Sequence, residues 1–177
     1  MALKKADTDH NTAKEYMSRI SNNSSRMMEA MDDIVWSINP VNDNMRKVAA
    51  RMKEFAGNSL EAQDINYTFN IDEDAKDLGF DMETRRGIFL IFKEAINNIL
   101  KYSKCTEVNI GMQVQKKCFV ITIADNGIGF DPNKQVAAHR GNGLKNMQKR
   151  AEGMHGGKLS IETAQGKGTR LILKIPL

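Results

Sequence analysis

The stretch Asp125-Asn126-Gly127-Ile128-Gly129-Phe130 decides the fold. It follows directly on an apolar run, Cys118 to Ala124, that reads as a strand. A strand that runs into Asp and two glycines sets a carboxylate at the end of a sheet. The bare backbone beside it lets a flat ligand come close. An Asp in that place can accept a hydrogen bond from an exocyclic amino group such as that of adenine. Taken alone, the run also reads as a plain Asn-Gly turn.

Upstream lies Glu94-Ala95-Ile96-Asn97-Asn98-Ile99-Leu100-Lys101. It sits in a segment with helical periodicity, Met82 to about Tyr102, capped by Asp81. Its core stripe is Ile88, Phe92, Ala95, Ile96 and Ile99. Glu94, Asn98 and Lys101 are spaced i, i+4, i+7. They fall within about 60° of one another, away from that stripe. A carboxylate, a carboxamide and an ammonium on one face suit a hydrated Mg²⁺ and a phosphate chain. A solvated helix face would carry the same residues. Downstream, Gly141-Asn142-Gly143 opens a helix from Leu144 to about Met154. Free N–H groups at such a start form an anion site, or the run is a loop end. Its spacing is neither that of the dinucleotide GxGxxG nor that of a Walker P-loop.

Around these pieces the pattern is regular. Ile65, Tyr67, Phe69 and Ile71 alternate as in a strand. Two strands in hairpin order, Glu107 to Gln115 and Cys118 to Ala124, flank Lys116-Lys117. Two more, Lys158 to Thr163 and Thr169 to Ile175, flank Gln165-Gly166-Lys167-Gly168. The order is strand, helix, two strands, loop, helix, two strands. It predicts an α+β fold, a two-layer α/β sandwich on a mixed sheet.

Before Asp64 the chain reads as helical. Thr12 and Glu15 have capping-box spacing. Ala13, Met17, Ile20, Met27, Met31, Ile34 and Ile38 form a heptad seam, with Ser24 in its gap. The run Ser21-Asn22-Asn23-Ser24-Ser25 is a candidate bend, and Pro40 ends the helix. Asn42 and Asp43 suit the cap of a second helix with the stripe Met45, Val48, Met52, Phe55 and Ser59 or Leu60. The predicted division is a helical segment, residues 1–62, and a ligand-binding domain, residues 63–177.

The bulk composition narrows the partners. The 177 residues carry a net charge of +4, with Lys and Arg scattered and aromatics at 6%. That argues against a nucleic-acid interface, which needs a basic cluster and stacking platforms. Cys105 and Cys118 lack metal or CxxC spacing and read as reduced thiols. The longest apolar run, Ile88 to Phe92, is too short to cross a bilayer, so no membrane contact is expected.

Together and in this order, the three motifs resemble the nucleotide-binding signature of the GHKL ATPases. That group holds sensor histidine kinases, type II topoisomerases, a heat-shock chaperone and mismatch-repair proteins. Glu94 to Lys101 looks like the family's N-box, and Asp125 to Phe130 like its first glycine box. Gly141 to Leu144, continuing through Asn146, Met147, Arg150 and Ala151, looks like the second. Gly168-Thr169 resembles the closing element. Trp36-Ser37-Ile38-Asn39-Pro40 resembles the end of the second dimerisation helix in histidine kinases of the nitrate-sensor class.

The resemblance implies a Bergerat-type ATP-binding fold, ATP and Mg²⁺ as ligands, and a histidine kinase activity. It implies that Asn98 ligates Mg²⁺, with Glu94 holding water or acting as base. Lys101 would meet phosphate, and Asp125 the adenine amino group. Gly127 and Gly129 would line the base. Gly141 and Gly143 would hinge a lid over the phosphates, Leu144 would belong to the same site, and Thr169 would sit near adenine. The implied partners are a cognate response regulator and a second copy, joined through the N-terminal helix. The implied place is the cytoplasmic side of a membrane-bound sensor.

One departure stands out. The phosphoacceptor of these kinases is a His followed by acidic residues. His10, His139 and His155 are followed by Asn11, Arg140 and Gly156. The chain is therefore expected to hold the ATP engine without its acceptor. A GHKL-type protein-serine kinase of the anti-sigma kind and a nucleotide-binding interaction module stay open as alternatives.

Overall fold

The computed structural model describes residues 10–39, 44–131 and 143–177. The chain divides into two compact units, Met1–Pro40 and Val41–Leu177. In the first, one helix, α1, spans His10–Ile38 and continues unbroken through the Ser/Asn run that suggested a bend. Its seam residues Met17, Ile20, Met27 and Met31 are each more than half exposed. Pro40, Asn42 and Asp43 lie outside the described residues.

The second unit begins with α2, Met45–Leu60, capped by Asn44, whose side chain accepts the Lys47 N–H at 3.0 Å. The observed cap therefore lies one residue beyond the expected Asn42-Asp43 pair. Met45, Val48, Met52 and Leu60 bury the predicted stripe. Phe55 lies at its margin. Its ring meets Phe89 and Phe92 edge-on at centroid distances of 6.3 and 6.4 Å. By its contacts α2 belongs with the sheet, although its sequence groups it with the helix before it.

The sheet follows. β1 (Asn66–Ile71) leads through a four-residue helix, α3 (Glu73–Lys76), to α4 (Met82–Asn98). β2 (Glu107–Gln115) and β3 (Cys118–Asp125) form a hairpin. Then come α5 (Gly143–Glu152), β4 (Lys158–Thr163) and β5 (Thr169–Pro176). The strand order is β1-β2-β3-β5-β4. Only β1 and β2 are parallel. The expected α+β sandwich on a mixed sheet is what the chain forms.

Alternation along the strands directs one face toward the helices. Register aligns Val108 with Asp125 and Asp125 with Thr169; Ile110, Ile123 and Leu171 form the next row and Met112, Ile121 and Leu173 the one after. Ile88, Phe92, Ala95 and Ile96 of α4 are buried with them. Each such large side chain, fully buried, contributes on the order of 1.5–3 kcal/mol. The polar row at the sheet's end, Asp125, Thr169 and Thr163, is therefore continuous with the core face.

α4 is anchored at its start. Asp81 accepts the Thr84 N–H at 2.9 Å and the Thr84 hydroxyl at 2.8 Å, and pairs with His155 Nε2 at 2.7 Å. The Thr84 backbone bond, with His155 next, holds the Asp81 carboxyl well below the usual carboxylate range. A depressed folded-state pKa contributes stability above the unfolded value and loses it as pH falls through the folded one. Asp81→Ala should lower unfolding free energy by about 1 kcal/mol at pH 7. The gap from wild type should shrink on acidification below pH about 4, as read by urea titration. A gap constant from pH 7 to 2 would contradict this account.

The β2–β3 turn carries a different strain. Lys116 and Lys117 sit at φ 50° and 60°. A two-residue turn of this hand favours Asn-Gly. Replacing the pair by Asn-Gly should stabilise the domain by about 1 kcal/mol. An unchanged urea midpoint would show that the turn is not strained.

Candidate functional site

At the Asp125 end of the sheet a cavity of about 270 Å³ opens between α4, the start of α5 and the strands. Its polar lining includes Glu94, Asn98, Lys101, Asp125 and Thr169; Ile123, Ile128, Met147, Ile161 and Leu171 supply apolar wall. The segments that looked weak one by one thus face a single space. Gly129, Gly143 and Leu144 line it too, while Gly141 and His139 lie outside the described residues.

Asp125 ends β3, where the core face meets the cavity. Burial raises its pKa, opposed by backbone N–H bonds from Gly127 and Thr169. The Gly127 N–H lies 2.9 Å from Oδ1. A half-buried carboxylate with both partners on backbone has acceptor capacity left for a ligand's N–H.

The loop after it is tied on both sides. Asn126 Oδ1 accepts the N–H groups of Thr106 and Glu107 at 2.9 and 3.0 Å, and its amide donates to the Thr106 hydroxyl. The Ile128 N–H donates to the Ser103 carbonyl at 2.8 Å, and Gly166 N–H to the Ile128 carbonyl at 2.7 Å. Gly127 is not on the cavity wall, contrary to expectation. A Cβ there would lie 2.2 Å from the Ser103 carbonyl oxygen, so its role is to let the loop pack on the end of α4. Gly129 has φ +56°, and a Cβ would lie 2.1 Å from the Ala164 carbonyl oxygen.

On the opposite wall, α4 passes into a π-helical turn, Ile99–Ser103. From Ile99 the 100° step used to align Lys101 no longer holds, yet Lys101 still lines the cavity, joined by Tyr102 and Ser103. Such widened turns recur at functional sites. Gly143 opens α5 directly against Glu94, where a Cβ would lie 2.2 Å from Oε1.

Tyr102, Ser103 and Ile161 escaped the sequence reading, whereas Met147 belongs to the stretch likened to the second glycine box. Ile161 alternates like any core residue, and only the β4–β5 register brings it here. Thr163 escaped as well. Its hydroxyl accepts the Phe130 N–H at 3.1 Å, donates to the Gly168 carbonyl at 3.0 Å, and lies 3.2 Å from the Thr169 hydroxyl.

The donor set suits Mg²⁺. Glu94 and Asn98 offer hard oxygen ligands one helical turn apart, and among the described residues no three His, Cys, Asp or Glu side chains gather into a cage. Two protein ligands are few for Ca²⁺ or Zn²⁺ but typical of Mg²⁺ held largely by water and substrate phosphates.

The family described as histidine kinase-, DNA gyrase B- and HSP90-like ATPases matches residues 83–177, more than half of the chain. The chain belongs to this family. The sensor histidine kinase ComP of Bacillus subtilis is 30% identical over 97 residues, covering 55% of this chain and 12% of that protein. The sensor histidine kinase LiaS of the same organism is 23% identical over 171 residues, covering 97% of this chain and 45% of that one. The chain thus spans less than half the length of these two relatives. Among solved structures, the histidine kinase domain of the Erythrobacter litoralis EL346 blue-light activated kinase superposes with a TM-score of 0.65. It is 19% identical and covers 96% of this chain and 86% of its own. That likeness is one of fold alone. Residues 83–177 are an ATP-binding domain of this family.

The two glycines that crowd neighbours should behave differently. Gly129→Ala meets backbone in a left-handed conformation and should lower stability by roughly 2–3 kcal/mol. Gly143→Ala meets only the flexible end of Glu94 and should stay within about 1 kcal/mol of wild type. Urea unfolding of both variants tests this, and equal effects would refute it.

Proposed function

We propose that this chain is the ATP-binding catalytic region of a two-component sensor histidine kinase of the nitrate-sensor class. Residues 63–177, with α2 packed on them, would carry the nucleotide site, and the helix before α2, within residues 1–62, would be the dimerisation segment. The observation that carries the reading is the single cavity lined by Asp125 and Thr169 on the sheet and by Glu94, Asn98 and Lys101 on α4.

In this reading Asp125 accepts the adenine amino group, and Ile123, Ile128, Ile161 and Leu171 cover the ring. Gly129 leaves room beside the base. Asn98, with Glu94 directly or through water, holds Mg²⁺. Held there by Asn98 and Glu94, Mg²⁺ would supply positive charge against the phosphate chain. Lys101 neutralises phosphate, and Gly141, Gly143 and Leu144 serve the closing lid. Glu94 takes the proton of the attacking imidazole as the γ-phosphoryl group passes to it and ADP leaves. Catalysis here is mainly positioning and electrostatics.

The acceptor is a histidine on a dimerisation helix other than α1. None of His10, His139 and His155 is followed by an acidic residue. His155 is paired with Asp81. The exposed seam of α1 supports self-association. A cognate response regulator would receive the phosphoryl group from that histidine. The region would work on the cytoplasmic side; no helix among the described residues is long and apolar enough to cross a membrane. The heptad helix counts against a protein-serine kinase, and the intact lining counts against a vestigial site.

Calorimetry should show Mg²⁺-dependent ATP binding, weakened roughly 10- to 100-fold by Asp125→Asn, which loses a charge-assisted bond. No acid-labile label from γ-labelled ATP should accumulate on the 177-residue chain. A folded wild type that does not bind ATP would overturn the reading. Stable self-labelling would overturn the assignment of the acceptor.

A further inference from the structure

We infer that Thr163 is a positioning residue that sets the base specificity of the cavity by fixing the direction of the Thr169 hydroxyl. The inference rests on the nucleotide reading above.

The argument is a count of protons. A threonine hydroxyl has one hydrogen to donate and two lone pairs to accept with. The Thr163 hydroxyl donates its hydrogen to the Gly168 carbonyl at 3.0 Å. One lone pair takes the Phe130 N–H at 3.1 Å. The remaining contact, 3.2 Å to the Thr169 hydroxyl, must then use the second lone pair, so Thr169 is the donor in it. With its only hydrogen turned toward Thr163, Thr169 has only lone pairs to offer the cavity it lines. Asp125, its register partner on β3, likewise offers only acceptor oxygens.

Two neighbouring acceptors and no donor suit a base edge bearing an amino group. They oppose one bearing a carbonyl oxygen. A corner whose two polar side chains, Asp125 and Thr169, only accept leaves them unpaired where the ligand brings another acceptor, and such mismatches discriminate strongly. Thr163 touches no ligand in this account. Its hydroxyl decides which way a neighbour's hydrogen points, and it ties the same point to the glycine loop through Phe130.

The test compares ATP with inosine triphosphate, which carries an oxygen in place of the amino group. Binding of both to the 177-residue chain is measured by calorimetry with Mg²⁺. Wild type should prefer ATP. Thr163→Val frees the Thr169 hydroxyl to donate, so the preference should shrink by about tenfold, with inosine triphosphate binding holding or improving as ATP binding falls. Thr163→Ser keeps the hydroxyl and should restore the wild-type ratio. In a Thr169→Val background, Thr163→Val should change the ratio no further. A Thr163→Val protein that loses affinity for both nucleotides equally has only a structural role, which overturns the inference and leaves the proposed function standing. Additive effects in the double variant would also overturn it. A folded wild type that binds neither nucleotide overturns the proposed function and this inference with it.

Discussion

Asp125 ends a central strand on the face that otherwise forms the core, and much of the domain accommodates that placement. Desolvation pushes its carboxyl toward the neutral form, and N–H groups from Gly127 and Thr169 pull it back. Both donors are backbone, so the balance depends on local geometry. One comes from the loop that follows and the other from the adjacent strand. The loop can turn so sharply only because Gly127 and Gly129 lack side chains where carbonyl oxygens crowd in. The anion's surroundings and the glycine pattern are thus one constraint seen from two sides.

The same economy governs α4. One face of the helix is buried on the sheet through Ile88, Phe92 and Ile96, and another lines the cavity with Glu94 and Asn98. Any rotation that improved one face would misplace the other. Its ends are held accordingly. Asp81 caps the start and links it to His155 beyond α5. At the far end the π turn brings the Ser103 carbonyl to the Ile128 N–H, which couples the helix to the glycine loop. The buried Ser103 hydroxyl bonds the Ile99 carbonyl at 2.8 Å and closes that turn on itself.

What could be read from the sequence follows from this arrangement. Strand alternation and the helical stripes are local periodicities, and among the described residues they predicted the five strands and the long helices, but not the short α3 or the 3-10 turn Glu61–Gln63. The glycines of the Asp125 loop were legible because backbone geometry demands that residue type, as at Gly129. What escaped depends on register and on helix form. Nothing in Lys158–Thr163 reveals that Thr163 meets both Phe130 and Thr169, since that needs the β4–β5 pairing. The π turn changes the angular step from Ile99 on, so helical-wheel reasoning could not foresee Tyr102 or Ser103 on the same wall as Lys101. Asn44, and not Asn42 or Asp43, caps α2, because the helix starts where Met45 N–H can reach the Leu78 carbonyl.

The two units also differ in how they satisfy their apolar residues. In Val41–Leu177 the stripes of α2, α4 and α5 end in a common buried core, and every described residue lining the cavity belongs to that unit. In Met1–Pro40 a single helix exposes Met17, Ile20, Met27 and Met31. A lone helix gains little from its own hydrogen bonds in water and depends on packing for its stability. Forming the nucleotide site therefore requires no residue before Val41, whereas α1 needs a surface to lie against. The cavity and the exposed seam thus lie on parts of the chain with separate sources of stability.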